Sequence, residues 1–246
     1  MNSADWKPPI LQVQDVRFRW PRSGTDCIAI DQFEMARGER VFLRGPSGCG
    51  KSTLLSLIAG VQVGQSGRVV LMDHEWARLS STRRDRIRVD HVGYIFQQFN
   101  LLPYLSVLDN VVLPCRFSAR RAVRAEEREG GRGFVAEGRR LLQSVGLGEA
   151  FWNRRASDLS VGQQQRVAAA RALIGDPELI VADEPTSALD EDLRESFMQM
   201  LMQSCAAAGS ALLFVSHDSR LAALFDREVD LPRLNRAGQT PMAQPA

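Results

Sequence analysis

The segment Gly45-Pro46-Ser47-Gly48-Cys49-Gly50-Lys51-Ser52 restricts this chain to few folds. It fits the pattern GxxxxGK[ST], and its setting makes the fit informative. Val41, Phe42 and Leu43 lead in as a buried strand, and residues 52–59 lead out with helical spacing. Gly60 then offers the left-handed conformation that ends a helix. A strand that passes through glycines into a helix gathers backbone N–H groups and the positive helix end around one point. That point is an anion site. On this pattern Gly45, Pro46, Ser47, Gly48, Cys49, Gly50 and Thr53 surround nucleotide phosphates, Lys51 reaches the β- and γ-phosphates, and the Ser52 hydroxyl ligates Mg2+. Cys49 occupies a free position of the pattern. Of 31 basic residues only Lys7 and Lys51 are lysines, so a lysine at this place stands out against a chain that otherwise uses arginine.

Downstream, Leu179-Ile180-Val181-Ala182-Asp183-Glu184 is an apolar strand ending in two acids. Alone such a strand is common. After a phosphate loop it places one carboxylate, Asp183, beside Mg2+ and a second, Glu184, where it can accept a proton from water as general base.

The 246 residues, 44% hydrophobic and 24% charged, suffice for one large core with a subdomain inserted in it. A net charge of +2 gives none of the basic excess expected of a nucleic-acid binder, so no nucleic-acid partner is expected. Cys27, Cys49, Cys115 and Cys205 lack metal-like or disulfide-framework spacing and fit a reducing compartment. The N-terminal residues show no signal-peptide pattern, and the longest nearly uncharged apolar stretch, 205–215, is too short to span a bilayer.

Strands are expected over 11–20, 27–35, 40–44, 67–72 and 92–96. Residues 106–156 are helical in pattern and arginine-rich, a candidate inserted helical subdomain whose charge reads first as a solvated helix face. Helix 162–174, strand 179–182, helix 190–205, strand 211–215 and a helix from Ser219 then alternate, which implies a parallel sheet covered by helices. The nucleotide-binding core is expected over 10–105 and 157–231, and 232–246 is expected to be a disordered tail.

Leu159-Ser160-Val161-Gly162-Gln163, followed by Gln164-Gln165-Arg166-Val167-Ala168-Ala169-Ala170-Arg171-Ala172-Leu173, resembles the LSGGQ signature of ABC ATPases. Other marks of that family stand in the family's order. They are Gln97 within Phe96-Gln97-Gln98-Phe99, Ser187-Ala188-Leu189-Asp190, and His217 within Val215-Ser216-His217-Asp218. The resemblance covers roughly residues 11–224 and implies an α/β fold. That fold has a P-loop NTPase (RecA-like) core with a parallel sheet, an N-terminal antiparallel β subdomain and an inserted α-helical subdomain. It also implies that Trp20 stacks on adenine, with a plain packing role as its alternative. Gln97 is the implied metal-side residue in preference to Gln98, because it follows the strand directly. His217 is implied as the γ-phosphate contact, and Ser160, Gly162, Gln163 and Asp190 as further nucleotide-side residues.

The signature is a second helix N-terminus, hence a second anion site, and two distant helix ends of one chain cannot hold one phosphate. In the family the signature of one subunit closes over the ATP of the other. A homodimer, or a pairing with another ABC subunit, is therefore expected, with ATP and Mg2+ in two composite sites. Val161 departs from the family's first glycine, so its φ is expected to be negative. The stretch from Phe99 to Val111 resembles the lipoprotein-release and macrolide-export branch. That likeness implies a separate integral membrane permease and an ATPase peripheral on the cytoplasmic face of the inner membrane. The alternative is an ABC ATPase of a non-transporting cell-envelope or division complex.

Overall fold

In the computed structural model, which describes residues 8–187 and 189–237, the chain opens with β1 (Leu11–Phe18) and β2 (Ile28–Met35), an antiparallel pair. β3 (Arg40–Arg44) leads through the glycine loop into α1 (Lys51–Ile58). β4 (Ser66–Leu71) and the short β5 (His74–Glu75) return to the first pair, giving an antiparallel sheet in the order β2-β1-β4-β5. α2 (Ser81–His91) and β6 (Val92–Ile95) come next. Four helices follow: α3 (Val107–Phe117), α4 (Ala119–Arg128), α5 (Phe134–Ser144) and α6 (Glu149–Trp152). An isolated antiparallel bridge between Ser106 and Arg155 brings the two ends of this helical block together. The chain then runs through α7 (Val161–Leu173), β7 (Leu179–Asp183), α8 (Glu191–Ala208), β8 (Ala211–Val215), β9 (Arg227–Asp230) and α9 (Leu231–Leu234). Strands β6-β7-β8-β3-β9 pair in that order as a parallel sheet.

Alternation along these strands sends neighbouring side chains to opposite faces, and both faces are covered. Val41, Leu43, Val181 and Leu213 join a core shared with α1 and the antiparallel sheet. Phe42, Ile180, Leu212 and Phe214 join the core built on α3, α5, α7 and α8. Each such side chain, once fully buried, contributes about 1.5–3 kcal/mol. A continuous apolar run such as Leu179–Ala182 is therefore required where a half-exposed strand would alternate. Gly60 takes φ 67, as expected of a helix end, and the buried Trp76 ring lies where a Cβ at that glycine would stand.

One helix is unexpected and two expectations need correction. α2 carries no apolar stripe, burying Ile87 as its one apolar side chain, so periodicity does not reveal it; its start is fixed by Ser80, whose hydroxyl accepts from Arg83 N–H. The helix expected from Ser219 is a 3-10 turn over Ser219–Leu224, started by the Asp218 cap. It ends where Phe225 packs against Phe42 and Phe214. Residues 232–237 are not a structureless tail: Pro232 lies in α9 and Asn235 is buried. Asn235 Nδ2 donates to Cys27 O at 2.9 Å and Cys49 O at 3.3 Å, while its Oδ1 accepts from Ala29 N–H at 2.8 Å. The rest of the expected tail, 238–246, and Ala188 lie outside the described residues.

Candidate active site

Parallel register decides which loops meet. Leu43 and Asp183 both pair with Val215, and Ile95 pairs with Ala182, so the carboxyl ends of β3, β6, β7 and β8 lie along one edge. The glycine loop, Gln97, the acids Asp183 and Glu184, and His217 all leave the sheet there. Ligand crevices of parallel sheets form at this edge.

Within the loop Gly48 has φ 81 and Gly50 has φ 102, conformations that favour glycine. A Cβ at Gly48 would meet nothing within 4 Å, whereas one at Gly50 would press on Ile28 at 2.9 Å. Beneath the loop lies Lys51, 7% exposed, with Nζ donating to Gly45 O at 2.9 Å and Pro46 O at 3.1 Å. The same ammonium lies 3.2 Å from His217 Nε2 and 3.6 Å from Glu184 Oε1, and His217 Nε2 is 2.7 Å from that carboxylate oxygen. One cation, one carboxylate and one imidazole thus converge.

Glu184 has φ 47, a left-handed conformation that costs a non-glycine residue roughly 1–2 kcal/mol. The backbone holds it there: its N–H donates to Val215 O at 3.0 Å, and its carbonyl accepts from Ser187 N–H at 3.3 Å. Burial, and after it the charge of Glu184, raise the Asp183 carboxyl above its ordinary range. Ser52 Oγ donates to Asp183 Oδ2 at 3.4 Å. A hydroxyl facing a carboxylate that is held up by burial and a neighbouring negative charge is an oxygen donor set suited to a divalent cation. Gln97 is exposed in the turn closed by Phe99 N–H to Phe96 O at 2.9 Å. Trp20, 42% exposed, donates from Nε1 to Thr53 Oγ1 at 3.3 Å, which sets its ring beside the first turn of α1.

The signature forms the start of α7. Ser160 is its N-cap, in a capping box in which Ser160 Oγ accepts from Gln163 N–H at 3.4 Å and Gln163 Oε1 accepts from Ser160 N–H at 3.0 Å. Val161 sits in the first helical turn with ordinary negative φ, as expected, and is 49% exposed. A Cβ at Gly162 would meet only ordinary contacts, Leu193 at 3.5 Å and Leu189 at 3.7 Å. Among the described residues, nothing requires glycine there. Asp190 caps α8, its Oδ1 accepting from Leu193 N–H at 3.0 Å.

The family model described as ABC transporter matches residues 30–187. The chain belongs to the ABC transporter family. It is 39% identical over 224 residues to the lipoprotein-releasing system ATP-binding protein LolD of Hydrogenovibrio crunogenus, covering 90% of this chain and 93% of that protein. An uncharacterized ABC transporter ATP-binding protein of Methanocaldococcus jannaschii, MJ0796, is 40% identical over 194 residues, 79% of this chain and 80% of the relative. Among solved structures, the dimeric post-hydrolysis state of that ATP-binding cassette bound to ADP and Pi superposes with a TM-score of 0.78 at 35% identity, covering 89% of this chain and 93% of the other.

The ABC fold also brings in residues that sequence reasoning overlooked. Asn235 ties the loop at Cys49 to Ala29 of β2, and no motif marks it. Gln165, wholly buried, donates to Pro185 O and so joins the signature helix to the segment after Glu184. Its position inside the signature-helix motif was the only available signal. Of the apolar residues after Gln97, Phe99 is core, Leu101 and Leu102 are half-buried, and Tyr104 is 70% exposed.

Proposed function

We propose that this chain is the ATP-binding and ATP-hydrolysing subunit of a transporter that exports or extracts lipid-linked protein through a separate membrane permease. The convergence of Lys51, Glu184 and His217 beneath the glycine loop carries the enzymatic part of this reading. The likeness to lipoprotein-releasing ATP-binding proteins supports the choice of cargo. Among the described residues no helix is long and apolar enough to cross a membrane, which fits an ATPase that works on a permease from the cytoplasmic face of the inner membrane.

ATP is the substrate. The backbone N–H groups of the loop, Pro46 having none, and the Lys51 ammonium receive its phosphates, the lysine exchanging loop carbonyls for phosphate oxygens, and Trp20 supports the base. Ser52, Gln97 and Asp183 would hold Mg2+, whose chemistry is to offset phosphate charge. Glu184 accepts a proton from the attacking water. His217 contacts the γ-phosphate beside Lys51 and Glu184. A partner copy supplies Ser160, Gly162, Gln163 and Asp190, the missing side chain of Gly162 allowing a close approach from outside. The residues of the core, 10–105 and 157–231, carry this chemistry, and 106–156 face the permease.

Purification of the tagged chain from detergent-solubilised membranes tests the reading. An integral membrane protein in fixed stoichiometry is expected, with ATP hydrolysis lost in Lys51→Ala. Hydrolysis without a membrane partner would overturn the transporter assignment, and no hydrolysis in the intact complex would overturn the enzymatic one.

A further inference from the structure

We propose that Arg171 is a positioning residue that fixes the loop carrying Gln97 to the signature helix. The proposal rests on the reading of Gln97 as a metal-side residue. Immediately after Gln97 the backbone enters the left-handed region twice in succession, at Phe99 (φ 59) and Asn100 (φ 47). Two adjacent non-glycine residues hold that conformation only when surrounding structure enforces it. Arg171, near the end of α7, does so from one guanidinium: Nη2 donates to Phe99 O at 2.5 Å and Nη1 to Asn100 O at 2.7 Å. Burial pulls this guanidinium down to about 10, and no carboxylate opposes the shift. Its charge is thus committed to two backbone carbonyls.

Other contacts give the clamp a fixed base. Gly93 on β6 lies so close to α7 that a Cβ there would overlap the Ala172 carbonyl. On the far side, buried Asn110 accepts from Leu102 N–H at 2.8 Å and donates to Leu102 O and Ser106 O, both at 3.0 Å. Gln97 itself, among the described residues, makes no side-chain hydrogen bond, so its place follows from the backbone that Arg171 holds. The N-terminus of α7 is the signature, built to meet a nucleotide held by another copy. One helix therefore sets both the signature and the metal-side glutamine.

The test uses the full chain in two measurements: hydrogen exchange of the amides of 99–105, and the Mg2+ concentration that half-saturates ATP hydrolysis. Arg171→Lys keeps the charge but cannot fork across two carbonyls. It should speed exchange at Phe99, Asn100 and Leu102 about fivefold or more and raise the Mg2+ requirement by a similar factor, the scale expected for releasing one left-handed residue. Adding Asn100→Gly, which makes the left-handed conformation accessible again, should recover part of both. Arg171→Gln, unable to fork and with no charge to bury, serves if the lysine variant does not fold. Unchanged exchange in the Arg171 variant would overturn the clamp. Faster exchange with the parental Mg2+ requirement, while Gln97→Ala raises it, would overturn the positioning role. If Gln97→Ala leaves the requirement unchanged, the metal-side reading fails on its own, and exchange alone decides whether Arg171 holds the loop.

Discussion

At Lys51 the ammonium already sits among carbonyl oxygens of the loop, 2.9 and 3.1 Å away, in a space closed to solvent. A planar guanidinium needs a longer, flatter cavity. Lys51→Arg should therefore abolish most ATP hydrolysis even though arginine is the cation this chain prefers, and an ATPase assay beside nucleotide-binding affinity checks it. Glu184→Gln should keep ATP binding and lower single-turnover hydrolysis by roughly 10²–10⁴-fold, because the amide has the shape of the acid but cannot accept the proton. Parental rates in that variant would place the base elsewhere. The positions of these residues were legible because each ends a strand or opens a helix, where motif and backbone coincide. Their ligand-free contacts were not. That His217 would touch both Lys51 and Glu184 follows from the β7-β8-β3 order, with β8 between the other two, which no local pattern encodes.

The same limit holds at the scale of elements. Strands β3, β7 and β8 were legible because full burial leaves continuous apolar runs, and α7 because it follows the signature motif. α2 was hidden because its exposed arginines leave no stripe to read. α4 shows what such arginines do once folded: Arg120 and Arg124 both pair with Glu178 Oε1, at 2.8 and 2.7 Å, while His91 of α2 meets Oε2 at 2.8 Å. The charge of this block, read from sequence as a solvated face, is in part a latch onto the segment entering β7. Burial alone would raise the Glu178 carboxyl, but hydrogen bonds from His91, Arg120 and Arg124 outweigh it and hold the group well below the usual carboxylate range. A depressed carboxyl lends stability that is complete above its unfolded value near pH ~4.3 and is lost as pH falls through the folded value. Glu178→Gln should accordingly cost about 1–3 kcal/mol in urea unfolding at neutral pH. The gap from the parent should narrow as the medium is taken below about pH 4. A gap that is constant with pH would show that shape, not charge, is what Glu178 contributes.

On the scale of the whole molecule, the proposed composite site brings the signature of one copy to the phosphate loop of another, and among the described residues a Cβ at Gly162 would meet only ordinary contacts. Association should then depend on nucleotide. Light scattering of Glu184→Gln is expected to report monomer without ATP and dimer with it, and a monomer at saturating ATP would refute the composite site. The expectation of a dimer comes from the motifs; how the C-terminal segment supports the site was not legible, since a single asparagine supplies the link. Asn235 is 186 residues from Cys49 in sequence, yet it holds that residue's carbonyl and the backbone of β2 in one grip. For anyone engineering this protein, the practical boundary of the nucleotide site therefore lies at its far end. A fusion junction or deletion placed at 232–237 would edit the phosphate loop as surely as a substitution at Gly50.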